Sequence, residues 1–136
     1  MEPVQAISHI GIAVRSIAEV RPFYENTLGA RFEGEEVVAD QKVKVAFFTV
    51  GGVRLELLEP TEPASTVAAF IEKRGQGVHH IAYAVADLPA RLAELKSAGV
   101  RLIDEQPRPG AHHSRIAFVH PKSSHGVLTE LCEPLE

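Results

Sequence analysis

The alternation of apolar and polar residues predicts eight β-strands along this chain. Four of them lie in the first half, at residues 6–14, 31–38, 42–50 and 53–58. The other four lie in the second half, at residues 78–85, 100–103, 114–119 and 127–133. In each half, the first strand places a histidine and small residues on one face and bulkier residues on the other. The bulkier face suits packing against a helix.

Apolar residues at helical spacing follow the first strand of each half. Ser16 is a suitable N-cap for the first of these helices, and Gly29 is a suitable terminator. Pro22 removes a backbone donor from this segment, so we expect an irregular start and a regular helix from near Pro22. Asp87 is the expected N-cap of the second helix, which ends at Gly99.

The chain contains this order of elements twice. The sequence ELLEP at residues 56–60 returns as ELCEP at residues 130–134, and SHIGIAV at residues 8–14 is matched by HHIAYAV at residues 79–85. Such a repeat predicts a duplicated supersecondary unit, here β-α-β-β-β. We therefore expect an α+β fold made of two tandem modules, at about residues 6–60 and 78–134, with a connector at residues 61–77.

Composition restricts the class of protein. A chain of 136 residues is long enough for one domain with a buried core. A net charge of −4 gives no basic surface for nucleic acid or an anionic membrane, and no apolar run is long enough to span a bilayer. The N-terminus lacks the features of a secretory signal. The single cysteine, Cys132, is expected to be a small apolar strand residue, and its isolation fits a reducing cytoplasm.

Two histidines and two glutamates occupy matching places in the two modules: His9, Glu56, His80 and Glu130. A histidine alone in an apolar strand is usually a hydrogen-bonded core residue. Glu56 alone is best explained by an ion pair with a nearby arginine or by an exposed face of the sheet, and Arg54 shares its face of the strand. The duplication favours a common role instead. His79 is expected to face the opposite side of its strand from His80.

Two imidazoles and two carboxylates suit a divalent metal ion such as Co, Mn, Ni, Fe, Mg or Zn. An ion with open coordination positions acts as a Lewis acid and stabilises negative charge on a carbonyl oxygen. Loss of a proton next to that carbonyl becomes feasible, and a nearby carboxylate is a suitable general base.

The motifs SHIGIAV, FYENTLGA, VRLELLEP, GVHHIAYAV and FVHPKSSHGVLTEL resemble the vicinal oxygen chelate superfamily, and within it most closely the methylmalonyl-CoA epimerases. The resemblance implies a glyoxalase-like curved sheet around a metal cleft. It implies one divalent ion, with cobalt favoured, on the four residues named above, and an acyl-CoA thioester substrate. It also implies a homodimer.

The same resemblance gives roles to individual residues. Glu130 is expected to be an acid/base for the substrate C2 proton, and Lys122 is expected to contact the anionic substrate. Some epimerases carry a second carboxylate in the third strand, where this chain has Lys42, Val43, Lys44 and Val45. The second proton carrier is therefore left open between Glu56 and a water molecule.

Three other functions use the same fold. A glyoxalase I-type lactoylglutathione lyase uses the same ligand types, so the ligand set alone does not separate it from an epimerase. An iron dioxygenase needs two histidines and one carboxylate with open positions. A metal-free binding or resistance protein would leave buried carboxylates without a cation, which is unfavourable.

Overall fold

The computed structural model describes residues 1–135 and contains two compact units. The first unit is His9–His79. The second unit consists of Met1–Ser8 and the described residues from His80 onward. Among residues 1–135, no helix is both long enough and apolar enough to cross a membrane.

The first unit contains four strands and two helices. In chain order they are β1 (Ala6–Ala13, in this unit from His9), α1 (Ile17–Pro22), β2 (Arg31–Val38), β3 (Val43–Val50), β4 (Val53–Pro60) and α2 (Thr66–Arg74). The strand order is β2-β3-β4-β1. The first and last strands, β1 and β4, are parallel, whereas the other two pairs are antiparallel.

The second unit repeats this arrangement. Its elements are β5 (Gly77–Ala84, in this unit from His80), α3 (Leu88–Ser97), β6 (Arg108–Gly110), β7 (Ser114–Val119) and β8 (Thr129–Pro134). The strand order is β6-β7-β8-β5, and here too the first strand is parallel to the last. Both units therefore have the predicted β-α-β-β-β plan.

Each unit has its own apolar core between the helix and the sheet. In the first unit, Val14 and Ile17 pack with Phe48 and Leu57, and partly buried Ile12 lies against them. The bulkier face of β1 thus contacts the helix, as its alternation predicts. In the second unit the corresponding cluster consists of Val85, Leu88, Leu92, Ala117, Val119 and Leu131.

The repeated E-x-x-E-P motif has a structural role at its second glutamate. Glu59 Oε1 accepts a hydrogen bond of 2.8 Å from the backbone N–H of Ile17, the first residue of α1. Glu133 Oε1 accepts a 2.8 Å bond from the N–H of Leu88, the first residue of α3. These N–H groups have no partner inside their helices, so each carboxylate satisfies one and faces the positive end of the helix dipole.

The predicted N-caps are confirmed. The Ser16 hydroxyl accepts from the N–H of Glu19, and the Asp87 carboxylate accepts from the N–H of Ala90. Ser65 caps α2 in the same way, accepting from the N–H of Val67.

The expected course of the first helix is wrong. The regular part of α1 comes first, at Ile17–Pro22, and a π-helical segment, Phe23–Thr27, follows it. The Leu28 N–H accordingly bonds to the Phe23 carbonyl at 3.0 Å, five residues back. Pro22 supplies no N–H, and its ring crowds the preceding turn, so the helix widens after the proline rather than becoming regular there.

The second half departs from prediction before β7. Residues 100–103 form no regular strand, although Leu102 makes an isolated bridge to Val119 and the Ile103 N–H donates to the Phe118 carbonyl at 2.9 Å. The Asp104 carboxylate accepts the Phe118 N–H at 2.9 Å, so a side chain occupies a donor that a neighbouring strand would have used. Strand β6 forms instead at Arg108–Gly110, between the strands predicted at residues 100–103 and 114–119.

Candidate functional site

In the second unit, His80 on β5 and Glu130 on β8 form a buried pair. His80 Nε2 lies 3.1 Å from Glu130 Oε1, and each side chain is only 4% exposed. The register sets this geometry, because Ala82, two residues after His80, lies directly opposite Glu130. The edge of the Phe118 ring packs against the imidazole, with 5.4 Å between ring centroids.

The first unit contains the equivalent pair at the same register. Gly11, two residues after His9, lies opposite Glu56 in the parallel pairing of β1 with β4. His9 Nδ1 lies 3.4 Å from Glu56 Oε2, and both side chains are buried. The predicted equivalence of the two His–Glu pairs thus holds at the level of strand register within each unit.

Arg54 distinguishes the first pair from the second. Its Nε and Nη2 atoms lie 2.9 Å and 2.8 Å from Glu56 Oε2, and Nη2 lies 3.4 Å from His9 Nδ1. The guanidinium carbon is 5.8 Å from the centre of the Phe47 ring, and the arginine side chain is only 19% exposed. The ion pair that was the simpler explanation for Glu56 therefore exists, and it lies beside the histidine.

Each pair offers donor atoms of the kind that suit a divalent metal ion. Their donors are imidazole nitrogen and carboxylate oxygen, the ligand types that borderline and hard divalent ions prefer. The 3.1 Å between His80 Nε2 and Glu130 Oε1 also fits adjacent ligand atoms. Two bonds of about 2.1 Å at a right angle place their donor atoms about 3 Å apart.

Cys132 is a buried thiol that packs with Ile116 and Phe118 in a small apolar cluster. His79 behaves as its position predicts, since its ring packs edge-on against Phe70 of α2 at 5.0 Å.

The loop at residues 120–126 has a fixed backbone. The Lys122 N–H donates to His120 Nδ1 at 3.0 Å, and the Ser123 hydroxyl accepts the Arg101 N–H at 2.8 Å. Partial burial, and then the positive charges of Arg101 and Lys122, lower the pKa of the His120 imidazole below its ordinary value. Lys122 itself is exposed. The loop therefore carries an exposed positive charge on a backbone that hydrogen bonds hold in place.

Comparison with known proteins defines the class. The sequence model of one protein family, the Glyoxalase/Bleomycin resistance protein/Dioxygenase superfamily, matches residues 8–118. Since this is most of the chain, the protein belongs to that superfamily, and the expected α+β glyoxalase-like fold is confirmed.

Individual relatives define the group within the class. The chain is 52% identical over 128 residues to protein YqjC of Bacillus subtilis (strain 168), covering 94% of this chain and 91% of that protein. It is 39% identical over 127 residues to the ethylmalonyl-CoA/methylmalonyl-CoA epimerase of Cereibacter sphaeroides, with coverages of 92% and 95%. A solved methylmalonyl-CoA epimerase in complex with methylmalonyl-CoA and NH4+ matches with a TM-score of 0.92 and 40% identity, covering 97% of this chain and 96% of that one. The chain therefore belongs to the methylmalonyl-CoA epimerase family, and the resemblance found in the sequence is confirmed.

Proposed function

We propose that this protein is a metal-dependent epimerase that interconverts (R)- and (S)-methylmalonyl-CoA by proton transfer at C2. The observation that carries the proposal is the pair His80 and Glu130, buried side by side at 3.1 Å, with a second His–Glu pair at the same register in the other unit. Membership of the epimerase family supplies the substrate class, an acyl-CoA thioester.

The proposed metal ligands are His9, Glu56, His80 and Glu130. Buried carboxylates need a cation or hydrogen bonds, and neutral imidazoles are the usual partners of carboxylates at such ions. Cobalt is the proposed ion on the grounds of family resemblance, since nitrogen and oxygen donors alone accept several divalent metals. When bound, the ion supplies Lewis acidity that stabilises negative charge on the thioester oxygen.

Glu130 is the proposed proton carrier on one face of the substrate. Inversion at C2 requires removal of the proton from one face and return of a proton to the other. Glu130 Oε1 is held beside His80 on a strand, so its position is fixed by the sheet rather than by a loop. The residues of β3 from Val43 to Val50 include no carboxylate, which leaves Glu56 or a water as the carrier on the second face.

Lys122 is proposed to bind the negatively charged part of the substrate. Its side chain is exposed, while its backbone N–H is tied to His120. A compact ammonium group on a fixed backbone is a suitable partner for a carboxylate or phosphate.

The proposed assembly is a homodimer in a reducing cytoplasm. Strand β2 is at the edge of the sheet of the first unit, and Val37 on it is 61% exposed. An apolar side chain on an unpaired edge is suited to cover by a second copy. Cys132 is the single cysteine of the sequence and is buried as a thiol, which fits a compartment that keeps thiols reduced.

The test is an exchange assay in deuterated water. Purified protein is stripped with a chelator, divided, and either left without metal or given Co²⁺, and then mixed with methylmalonyl-CoA. We expect the C2 proton signal in the NMR spectrum to disappear only in the sample with metal.

Three outcomes of this assay would contradict part or all of the proposed function. Absence of exchange with every divalent ion tried contradicts the proposal. If the protein instead converts the hemithioacetal of methylglyoxal and glutathione, the glyoxalase I-type function replaces it. Equal exchange with and without metal contradicts the metal dependence alone.

A further inference from the structure

All described contacts of the Glu56 carboxylate end on the same oxygen. Arg54 donates to Oε2 from both Nε and Nη2, and His9 Nδ1 lies 3.4 Å from this atom as well. Two N–H groups of one planar guanidinium fix the rotation of the carboxylate about its last bond. The other oxygen, Oε1, is thereby kept on the side away from Arg54.

Charge is the second consequence of this contact. Glu56 is only 3% exposed, and a buried carboxylate without a cation is strongly unfavourable. Arg54 supplies that cation from two residues away on the same strand face. The Phe47 ring, 5.8 Å from the guanidinium, holds the arginine side chain where it can do this.

We propose that Arg54 is a positioning residue that neutralises Glu56 and holds it in one orientation, so that the metal site carries the charge of Glu130 alone. This inference rests on the proposed metal site and adds a residue to it. It gives Arg54 a role in setting metal affinity and in admitting an anionic substrate. A site with two uncompensated carboxylates would bind a metal cation more tightly and would repel an anionic substrate.

The experiment is a double-mutant cycle with four proteins: wild type, Arg54→Met, Glu56→Gln and the double variant. Co²⁺ binding to the metal-free proteins is measured by isothermal titration calorimetry. We expect Arg54→Met to bind Co²⁺ more tightly by on the order of 10-fold, and Glu56→Gln to bind it more weakly by a similar factor. The double variant should lie within about 3-fold of wild type, because both charges are removed.

Kinetics give a second readout that a purely structural role would not produce. Arg54→Met should raise KM for methylmalonyl-CoA by about 10-fold while kcat stays within about 3-fold, since the substrate is an anion. The double variant should recover the wild-type KM. Arg54→Lys keeps the charge but not the two-donor geometry, so its Co²⁺ affinity should stay near that of wild type.

Arg115→Met is the matched control. In the second unit, Arg115 donates from its Nε and Nη2 atoms to the carboxylate of Glu133. Arg54 uses the same two atoms on Glu56, and both glutamates belong to E-x-x-E-P motifs. Its removal should leave Co²⁺ affinity within about 2-fold of wild type, which excludes a general effect of losing an arginine.

The outcomes separate this inference from the proposed function. If wild type binds no divalent metal, the proposed function and this inference both fail. If wild type binds Co²⁺ but Arg54→Met binds it equally or more weakly, only the role of Arg54 is wrong. The same holds if the double variant binds as weakly as Glu56→Gln.

Discussion

Glu130 Oε1 lies 3.1 Å from His80 Nε2, and the two residues reach this distance from parallel neighbouring strands. The sheet backbone fixes both Cα positions, so neither side chain depends on a loop for its placement. Under the proposed function, a donor pair held in this way needs little rearrangement to bind a cation and to transfer a proton.

Glu130→Gln tests the proposed proton carrier. Glutamine keeps the size of the side chain and a carbonyl oxygen, but it does not act as an acid or a base near neutral pH. We expect kcat for epimerisation to fall by about 10²–10⁴-fold, the usual contribution of a general acid/base. The measurement is the rate of C2 proton exchange by NMR in the presence of saturating metal.

Glu133→Gln, three residues further along β8, is the control for Glu130→Gln. Its carboxylate binds Arg115 and the start of α3, so we expect exchange within about 3-fold of wild type. If both variants lose the same amount of exchange activity, the effect comes from loss of a charge on β8 and not from Glu130 in particular. If Glu130→Gln is fully active, Glu130 is not a proton carrier.

Glu59→Ala tests the contact between β4 and the start of α1. The variant leaves the N–H of Ile17 without its acceptor and removes a negative charge from the positive end of the helix. The free energy of unfolding should fall by about 1–2 kcal/mol, as for a lost N-cap. Urea denaturation followed by circular dichroism measures it.

Glu62→Ala is the matched control for Glu59→Ala. Within residues 1–135, the contact of the Glu62 side chain is an exposed ion pair with Lys42, at 3.7 Å, so its loss should change the free energy of unfolding by no more than about 0.5 kcal/mol. The interpretation is wrong if Glu59→Ala is no more destabilising than this control.

Gly110→Ala tests the packing of β6 on β7. A Cβ atom at Gly110 would lie 2.7 Å from Ile116 Cγ2 and 2.7 Å from the Ser114 hydroxyl oxygen, closer than real carbon atoms approach. The strand must shift, and we expect the free energy of unfolding to fall by about 1–3 kcal/mol. Thermal unfolding by calorimetry gives the change.

Gly52→Ala provides the comparison. Nothing lies within 4 Å of a Cβ atom at Gly52, and its φ is outside the left-handed region. The change should be neutral or raise the free energy of unfolding by up to about 1 kcal/mol. A melting temperature for Gly110→Ala at or above that of Gly52→Ala would contradict the crowding argument.

His120→Asn tests a pH dependence. The pKa of His120 is lowered, first by burial and then by Arg101 and Lys122, so the folded state favours the neutral ring. The contribution of His120 to the free energy of unfolding is therefore lost below its folded-state pKa. It is recovered as the pH rises towards about 6.5, the pKa of histidine in the unfolded chain. Protonation of Nδ1 also removes the acceptor for the Lys122 N–H.

Asparagine keeps an acceptor near the position of Nδ1 but does not titrate in this range. The free energy of unfolding of wild type minus that of His120→Asn should therefore be larger at pH about 7.5 than at pH about 5. Urea denaturation of both proteins at the two pH values measures the difference. Parallel pH profiles would show that His120 contributes nothing.

Local sequence was sufficient for most of the secondary structure. The strands carrying His9, Glu56, His80 and Glu130 follow from alternation, and the N-caps Ser16 and Asp87 follow from residue type. Alternation also places Arg54 on the same face as Glu56. These features depend on residues a few positions apart, which is why a linear pattern reveals them.

Tertiary structure decided what each of these side chains contacts. The sequence shows the second glutamate of each E-x-x-E-P motif but not that Glu59 reaches Ile17 and Glu133 reaches Leu88. It suggests an arginine for Glu56 but not that both donors of Arg54 converge on one oxygen beside His9. Nor does the sequence show that the Asp104 carboxylate accepts the Phe118 N–H, beside residues 100–103, where alternation predicted a strand.

The sequence by itself determined the repeated plan, the strands and the four candidate ligands, because these follow from short-range periodicity and from internal duplication. Only the tertiary structure decided the register that sets Gly11 opposite Glu56 and Ala82 opposite Glu130, and with it the two buried pairs. Both pairings join parallel strands that are distant in the chain, so no tight turn between them sets their register, and hydrogen bonds and packing across the sheet must fix it.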